Sequence, residues 1–338
     1  MLLKITHETE LAYTEPIPES VVELRMFPRQ ESQQHRLSFE LKLAPYSTVN
    51  SYFDWLGNTV HTFTVNQVHQ KIKIVATSVL ETERMTVMPE GLPDTWPMKE
   101  TDDYRQWDFM QFSGPVVDSS ALVALVSELG VRPGIRIGEI GQRMIRLINM
   151  QFEYEKGITN SASLVTEVLE HRKGVCQDFT HLFIAMARHL KIPARYVSGL
   201  LHPDDTDRER FRGYTQTHAW AELFFPSYGW IGFDPTNSCI AGENFVKVAV
   251  GRDYRDVPPN KGLYRGPAKE SIGVTVKTEP LRTIPSDLFP EKIAPLVVNA
   301  PMFGPIPMRR VEGHHQEHAQ QQQQEKTALM QQQQQQQQ

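Results

Sequence analysis

Cysteine is scarce in this chain: Cys176 and Cys239 are the only two among 338 residues. Two thiols exclude a disulfide framework and a four-cysteine zinc site. Long apolar runs are also missing, and none approaches the roughly 18 to 20 residues needed to cross a bilayer. There is no excess of positive charge, since 35 Lys and Arg stand against 40 Asp and Glu, a formal charge of -5. No basic patch stands out, which argues against a nucleic-acid partner held by phosphate contacts. The opening MLLKITHETELAY lacks the basic segment, apolar core and small-residue cleavage site of a signal peptide. These absences lead us to expect a soluble, cytoplasmic protein with no membrane partner. What is present is ordinary globular composition, 40% hydrophobic and 22% charged, long enough for two domains.

Three zones follow along the chain. Residues 1–95 alternate with period two: Val22, Leu24 and Met26 share one strand face, as do Phe39, Leu41 and Leu43, and Ile72, Ile74 and Ala76. Leu56-Gly57-Asn58 reads as a hairpin turn, because Gly and Asn tolerate positive φ. This zone is expected to be an N-terminal antiparallel β domain. Residues 96–116, with prolines and acidic residues, read as a linker or covering loop. From 117 the period becomes helical. DSSALVALVSELG has a stripe at Leu122, Leu125, Val126 and Leu129, with Ser119 or Ser120 to cap it and Gly130 to end it. IGEIGQRMIRLINMQF repeats the pattern, SASLVTEVLEHRKG is a shorter helix with Ser163 as a candidate cap, and a fourth helix runs from Cys176 to His189. After Pro193 strands return in ARYVSGLL, THAWAELFF, YGWIGFD, VKVAVG and IGVTVKTE. Helices followed by strands predict an α+β core with an antiparallel sheet over residues 117–310, including a C-terminal extension. In the tail, 311–338, fourteen of the last 23 residues are Gln, so no core can form and disorder is expected.

Two segments carry the chemistry. In GVCQDFTHLFIAMARHLKIPARYVSGLL, residues 174–201, Cys176 falls at a helix start, where unpaired amides and the helix dipole favour a thiolate. Position alone leaves Cys176 open between a nucleophile and a packed thiol. In THAWAELFFPSYGWIGFDPTN, residues 217–237, His218, Trp220, Glu222 and Phe224 share one face of a strand, and Asp234 ends its hairpin partner. A thiol, an imidazole and a carboxylate are the parts of a cysteine-nucleophile triad, although with 12 His in the chain their order alone is weak evidence. The hairpin makes a geometric demand. If Phe225 pairs with Trp230, Asp234 points away from His218; a three-residue loop, Pro226 to Tyr228, pairs Phe225 with Gly229 and turns Asp234 to the His218 face. An odd-length loop, or a bulge restoring the parity, is therefore predicted.

These two segments, with VAVGRDYRDVPPNKGLYRG at 248–266, resemble the transglutaminase-like superfamily in its bacterial branch with an N-terminal β domain. The resemblance covers roughly residues 1–280. It implies a papain-like arrangement, with a nucleophile helix packed on an antiparallel sheet. It also implies Cys176 as nucleophile, His218 as general base and acid, and Asp234 as the group orienting His218. The expected activity is that of a cysteine amidase or peptidase acting on peptide or protein substrates through a thioester. The alternatives are a protein-glutamine acyltransferase, for which the tail glutamines would be donors, and a non-catalytic peptide-binding module. No cofactor and no metal are expected: His181 with His218 and the two cysteines lacks a close ligand pair, and His314, His315 and His318 lie in the tail. Asp178 is read as a helix-start acid, Glu222 as a paired or solvated strand residue, and Cys239 as a packed thiol.

Overall fold

Strict alternation in the first zone builds long strands with one buried face, and a computed structural model describes them within residues 1–99, 104–203, 211–212 and 217–296. These described residues lie in one unit, Met1–Met302. Strands β1 (Leu2–Ile17), β2 (Glu19–Leu24), β3 (Gln34–Ala44), β4 (Val49–Phe53), β5 (Thr59–Val65) and β6 (His69–Thr82) come first. A one-turn helix α1 (Tyr104–Trp107) precedes α2 (Ser120–Ser127) and α3 (Ile137–Gln151). The short β7 (Glu153–Tyr154), α4 (Val165–His171) and β8 (Lys173–Gly174) lead into α5 (Cys176–His189). Five strands follow as β9 (Ala194–Leu201), β10 (His218–Phe225), β11 (Gly229–Asp234), β12 (Cys239–Ile240) and β13 (Phe245–Gly251). The last three are β14 (Asn260–Arg265), β15 (Glu270–Pro280) and β16 (Lys292–Pro295). The result is a mixed α+β architecture, with N-terminal sheets that are antiparallel except at the β3–β16 edge and a core in which a central helix lies on an antiparallel sheet.

The three apolar faces named from sequence are all buried and form one N-terminal core. The turn at Leu56-Gly57-Asn58 joins β4 to β5, with Gly57 at φ +74°. The Asp54 carboxylate accepts from the Leu56 and Asn58 amides, as turn-forming Asp commonly does. Asn58 is fully buried and exchanges hydrogen bonds with both the N–H and the C=O of Val250 on β13.

IGVTVKTE, expected among the strands of the core, sits elsewhere. As part of β15 it pairs with β1 over eleven positions, from Leu3–Pro280 to Tyr13–Glu270. Strand β14 pairs with β2, and β16 runs parallel to β3. The order in the two N-terminal sheets is therefore β15-β1-β6-β3-β16 and β14-β2-β5-β4. Alternation marks a segment as a strand but does not choose its neighbour. The tail, residues 311–338 with His314, His315, His318 and the glutamines, lies outside the described residues.

In the core the sheet order is β12-β11-β10-β9-β13. Helix α5 lies on one face, where Ala219, Ala221, Leu223 and Phe225 meet its apolar side chains. Nearly every residue of α5 from Asp178 to Arg188 is buried, because α2, α3 and α4 cover the side turned from the sheet. Ser119 caps α2 by accepting from the Leu122 amide, and Gly130 follows at φ +59°. At α4 the cap differs from expectation: the Ser163 hydroxyl donates to Glu167, whose carboxylate also accepts from the Leu164 amide. Arg188 is buried, forms no ion pair among the described residues, and donates to the carbonyls of Phe109, Gln111, Ala194 and Arg252. It thereby pins the segment before α2 onto the core. No helix among the described residues is long and apolar enough to cross a membrane.

The other face of the sheet carries an ion-pair relay. Glu222 on β10 lies 2.5 Å from Arg195 and 2.6 Å from Lys247, and Lys247 reaches Glu31 of the N-terminal domain at 2.5 Å. Burial alone raises the carboxyl pKa of Glu222, but the charges of Arg195 and Lys247 outweigh it and lower the value. Its contribution is present above the ordinary value of 4.5 and is lost as pH falls below it. Replacing the buried Glu222 with Gln leaves the partly buried Arg195 without this anion and Lys247 with Glu31 alone, and should cost about 3 kcal/mol. Thermal or denaturant melting at pH 7 and at pH 3 checks this; the gap between wild type and variant should be narrower at the lower pH.

Candidate active site

Gly174 opens the site because a side chain there would strike Asp178, whose Cβ would be 2.8 Å from the added carbon. The chain needs that room so that Asp178 can fold back on the helix start. Its carboxylate accepts from the Val175 amide at 2.7 Å and from the Thr159 hydroxyl at 2.6 Å. Burial raises the pKa of Asp178 in spite of both bonds. Asp178 is thus engaged in building the start of α5. Cys176 is the first residue of that helix, half-buried, with its own carbonyl accepting from the Thr180 hydroxyl at 2.7 Å. Neither cysteine is in a disulfide.

The hairpin satisfies the parity condition. Phe225 pairs with Gly229, Glu222 with Gly232 and Ala221 with Phe233 across the three-residue loop. Gly229 takes φ +106° to make that turn. Continued by one residue, this register sets Asp234 opposite Trp220, on the His218 face. Nε2 of His218 lies 2.8 Å from Oδ2 of Asp234, and both side chains are fully buried. A carboxylate only accepts, so that ring nitrogen carries the proton. Asp234 is fully used: Oδ1 accepts from the Thr236 and Asn237 amides, and Oδ2 also accepts from the Asn237 side-chain amide at 2.7 Å. Trp220 stacks beside the imidazole, with ring centroids 6.1 Å apart, and Phe245 closes against both rings.

The other ring nitrogen, Nδ1, is buried and has no hydrogen-bond partner among the described residues. Cys176 acts on the ring from close by. Burial pulls the imidazole pKa down, but the charge and hydrogen bond of Asp234, followed by the influence of Cys176, raise it to about 10. The same sulfur acts on three tyrosines. Burial raises Tyr154, Tyr196 and Tyr254, and the charge of Cys176 adds to the rise in each; Tyr154 reaches about 12. Cys176, His218 and Asp234 are therefore brought together from three separate elements.

Other candidates find structural places. His181 is buried, its Nε2 accepting from the Tyr254 amide at 3.1 Å, and burial pushes its pKa to about 3. It orders the turn that carries Tyr254 beside the nucleophile helix. Cys239 is half-buried, opposite Asp234 in the β11–β12 pair and packed with the cluster around Trp220. Among the described residues no group of three or more His, Cys, Asp or Glu is arranged to hold a metal ion. Sequence reasoning did not single out Asn237 or the three tyrosines. Asn237 had a signal in DPTN, since an Asp followed by Pro and Asn favours a side-chain-capped turn. The tyrosines had none, because only the fold gathers them.

Comparison with known proteins agrees with this layout. A family profile for the transglutaminase-like superfamily matches residues 136–235, the stretch holding all three triad candidates. A second profile, for the bacterial transglutaminase-like N-terminal region, matches residues 3–81. An uncharacterized protein of Mycobacterium leprae is 28% identical over 291 residues, covering 81% of this chain and 97% of its own. An uncharacterized protein of Mycobacterium tuberculosis is 30% identical over 302 residues, covering 82% of this chain and 92% of its own. The crystal structure of a candidate cysteine protease from Cytophaga hutchinsonii superposes with a TM-score of 0.66 at 21% identity, over 86% of this chain and 94% of that one. At that identity the likeness speaks for the fold.

Proposed function

Since the chain belongs to the transglutaminase-like superfamily and carries the bacterial N-terminal region, we propose that it is a cysteine-dependent amidase or peptidase acting on peptide or protein substrates. The observation that supports this reading is the imidazole of His218, tied at Nε2 to Asp234 and raised in pKa also by its interaction with Cys176. In this reading Nδ1 takes the thiol proton, and the raised basicity of the ring favours the thiolate–imidazolium pair. The sulfur attacks the amide carbonyl, and the Cys176 backbone N–H at the helix start donates to the developing oxyanion. His218 returns its proton to the departing amine, leaving a thioester on Cys176. Water, activated by the neutral imidazole, hydrolyses the thioester and restores the thiol. Asp234 holds the tautomer and balances the imidazolium throughout.

Alkylation with iodoacetamide near pH 6.5, followed by mass spectrometry of each thiol, tests the pair directly. Cys176 should react far faster than Cys239, because the His218 imidazole interacts with Cys176 and would hold its thiolate. Slow and equal reaction at both sites would sink the assignment.

A further inference from the structure

A cleft of about 540 Å³ opens one turn of α5 away from Cys176, and the mechanism above makes no use of it. Phe179, one turn along α5 from the nucleophile, forms one wall, and Tyr154, paired with Gly174, forms another. Thr236 closes it from the turn that follows Asp234. Two arginines complete the lining. Arg172 lies over the Phe152 ring at 4.9 Å, and Arg212 over the Tyr154 ring at 5.3 Å. Neither guanidinium forms an ion pair with a carboxylate among the described residues; Arg172 donates only to the neutral side chain of Gln151. Lys173, also in the lining, is already occupied by Glu155 at 2.6 Å and Glu153 at 3.3 Å. The lining therefore sets three cationic side chains, Arg172, Lys173 and Arg212, against one carboxylate, Glu153, and among the described residues neither guanidinium has an anionic partner. Stacking on an aromatic ring leaves the in-plane N–H fork of a guanidinium free for a carboxylate. The buried Thr236 hydroxyl has no hydrogen-bond partner among the described residues, which adds a polar atom to the same lining.

From this arrangement we infer that the cleft is a substrate subsite for a carboxylate borne by the peptide near the scissile amide. The inference rests on the catalytic reading above for its location, and it supplies what that reading lacks, a substrate class. The placement is fixed relative to the triad. The backbone N–H of Arg212 donates to Oδ1 of Asn237 at 2.8 Å, and the Asn237 amide donates to Asp234 at 2.7 Å. One asparagine thus sets the position of both Arg212 and the triad carboxylate. Arg172 is held at the end of α4 in a left-handed conformation, φ 53°, with its N–H on the Val168 carbonyl.

Binding to the full-length Cys176→Ala protein tests the subsite without any chemistry. Three fluorescent peptides of one length are compared: one with an internal Glu and an amidated end, one with Gln in its place, and one with Gln and a free C-terminal carboxylate. The Glu peptide, or the free-acid peptide, should bind roughly tenfold tighter than the neutral one, and added salt should erode the difference. Whichever carboxylate wins identifies its source as a side chain or a chain end. Arg172→Gln combined with Arg212→Gln should bring the ratio to near one. Should that double variant melt early, Arg212→Gln alone, whose side chain makes no hydrogen bond among the described residues, should still reduce it. Equal binding of all three peptides, or a preference that survives loss of both arginines, overturns the subsite. Charge discrimination in binding without turnover of any peptide by the wild type would instead count against the catalytic reading alone.

Discussion

Replacing Cys176 with alanine is expected to lower amide turnover by about 10⁴-fold or more, to the level left by binding and oxyanion contacts alone. The fold should be untouched, for reasons local to the helix start. The cap is built by Asp178 on the Val175 amide and by the Thr180 hydroxyl on the backbone carbonyl of residue 176, and neither involves the sulfur. The residue is half-buried at the edge of the core, so the lost contacts are few. Circular dichroism and a melting curve should overlay on those of the wild type. Cys239→Ser provides the control, since Cys239 packs with the cluster around Trp220 and not at the start of α5. It should keep most of the activity. Retained turnover in the Cys176→Ala protein would remove Cys176 from the chemistry, whatever the geometry around it.

How much of this was legible beforehand depends on the range of the interaction that decides it. The parity of the hairpin was legible because a period of two and a three-residue loop are local, and they alone determine whether Asp234 faces His218. The helix start at Cys176 was legible for the same reason, from Gly174 and the apolar residues beyond it. The destination of β15 was not. Most of its residues are at least partly exposed, so its pattern binds it weakly to any one partner, and only the long free edge of β1 claims it. Arg188 was equally hidden: a buried guanidinium satisfied by four carbonyls looks, in sequence, like a helix-end cation. Tyr154, Tyr196 and Tyr254 lie on three different segments, and nothing local announces that the charge of one sulfur acts on all three.

Asp234→Asn should be the most damaging change that keeps the shape of the site, lowering turnover by roughly 10³- to 10⁴-fold. The carboxylate receives four donors: the Thr236 and Asn237 amides, the Asn237 side chain and the His218 ring. An amide group has one accepting oxygen, so either orientation turns an NH₂ toward N–H groups it cannot satisfy. The fully buried position offers no water in exchange, and a loss of about 2 to 4 kcal/mol follows. The effect on His218 is separable by pH. In the wild type burial lowers the ring pKa, and Asp234 is the largest of the causes that raise it to about 10. Without that charge burial wins, and the imidazole is neutral near pH 7. A folded-state value above the ordinary 6.5 means that the stabilisation is fully present below 6.5 and is lost as pH rises through about 10. The stability gap between wild type and Asp234→Asn should therefore narrow between pH 7 and pH 11. Ring-proton NMR of His218 should show protonation persisting to alkaline pH in the wild type alone. A gap that does not change with pH, or a variant ring still charged at pH 8, would mean that something other than Asp234 holds the imidazolium.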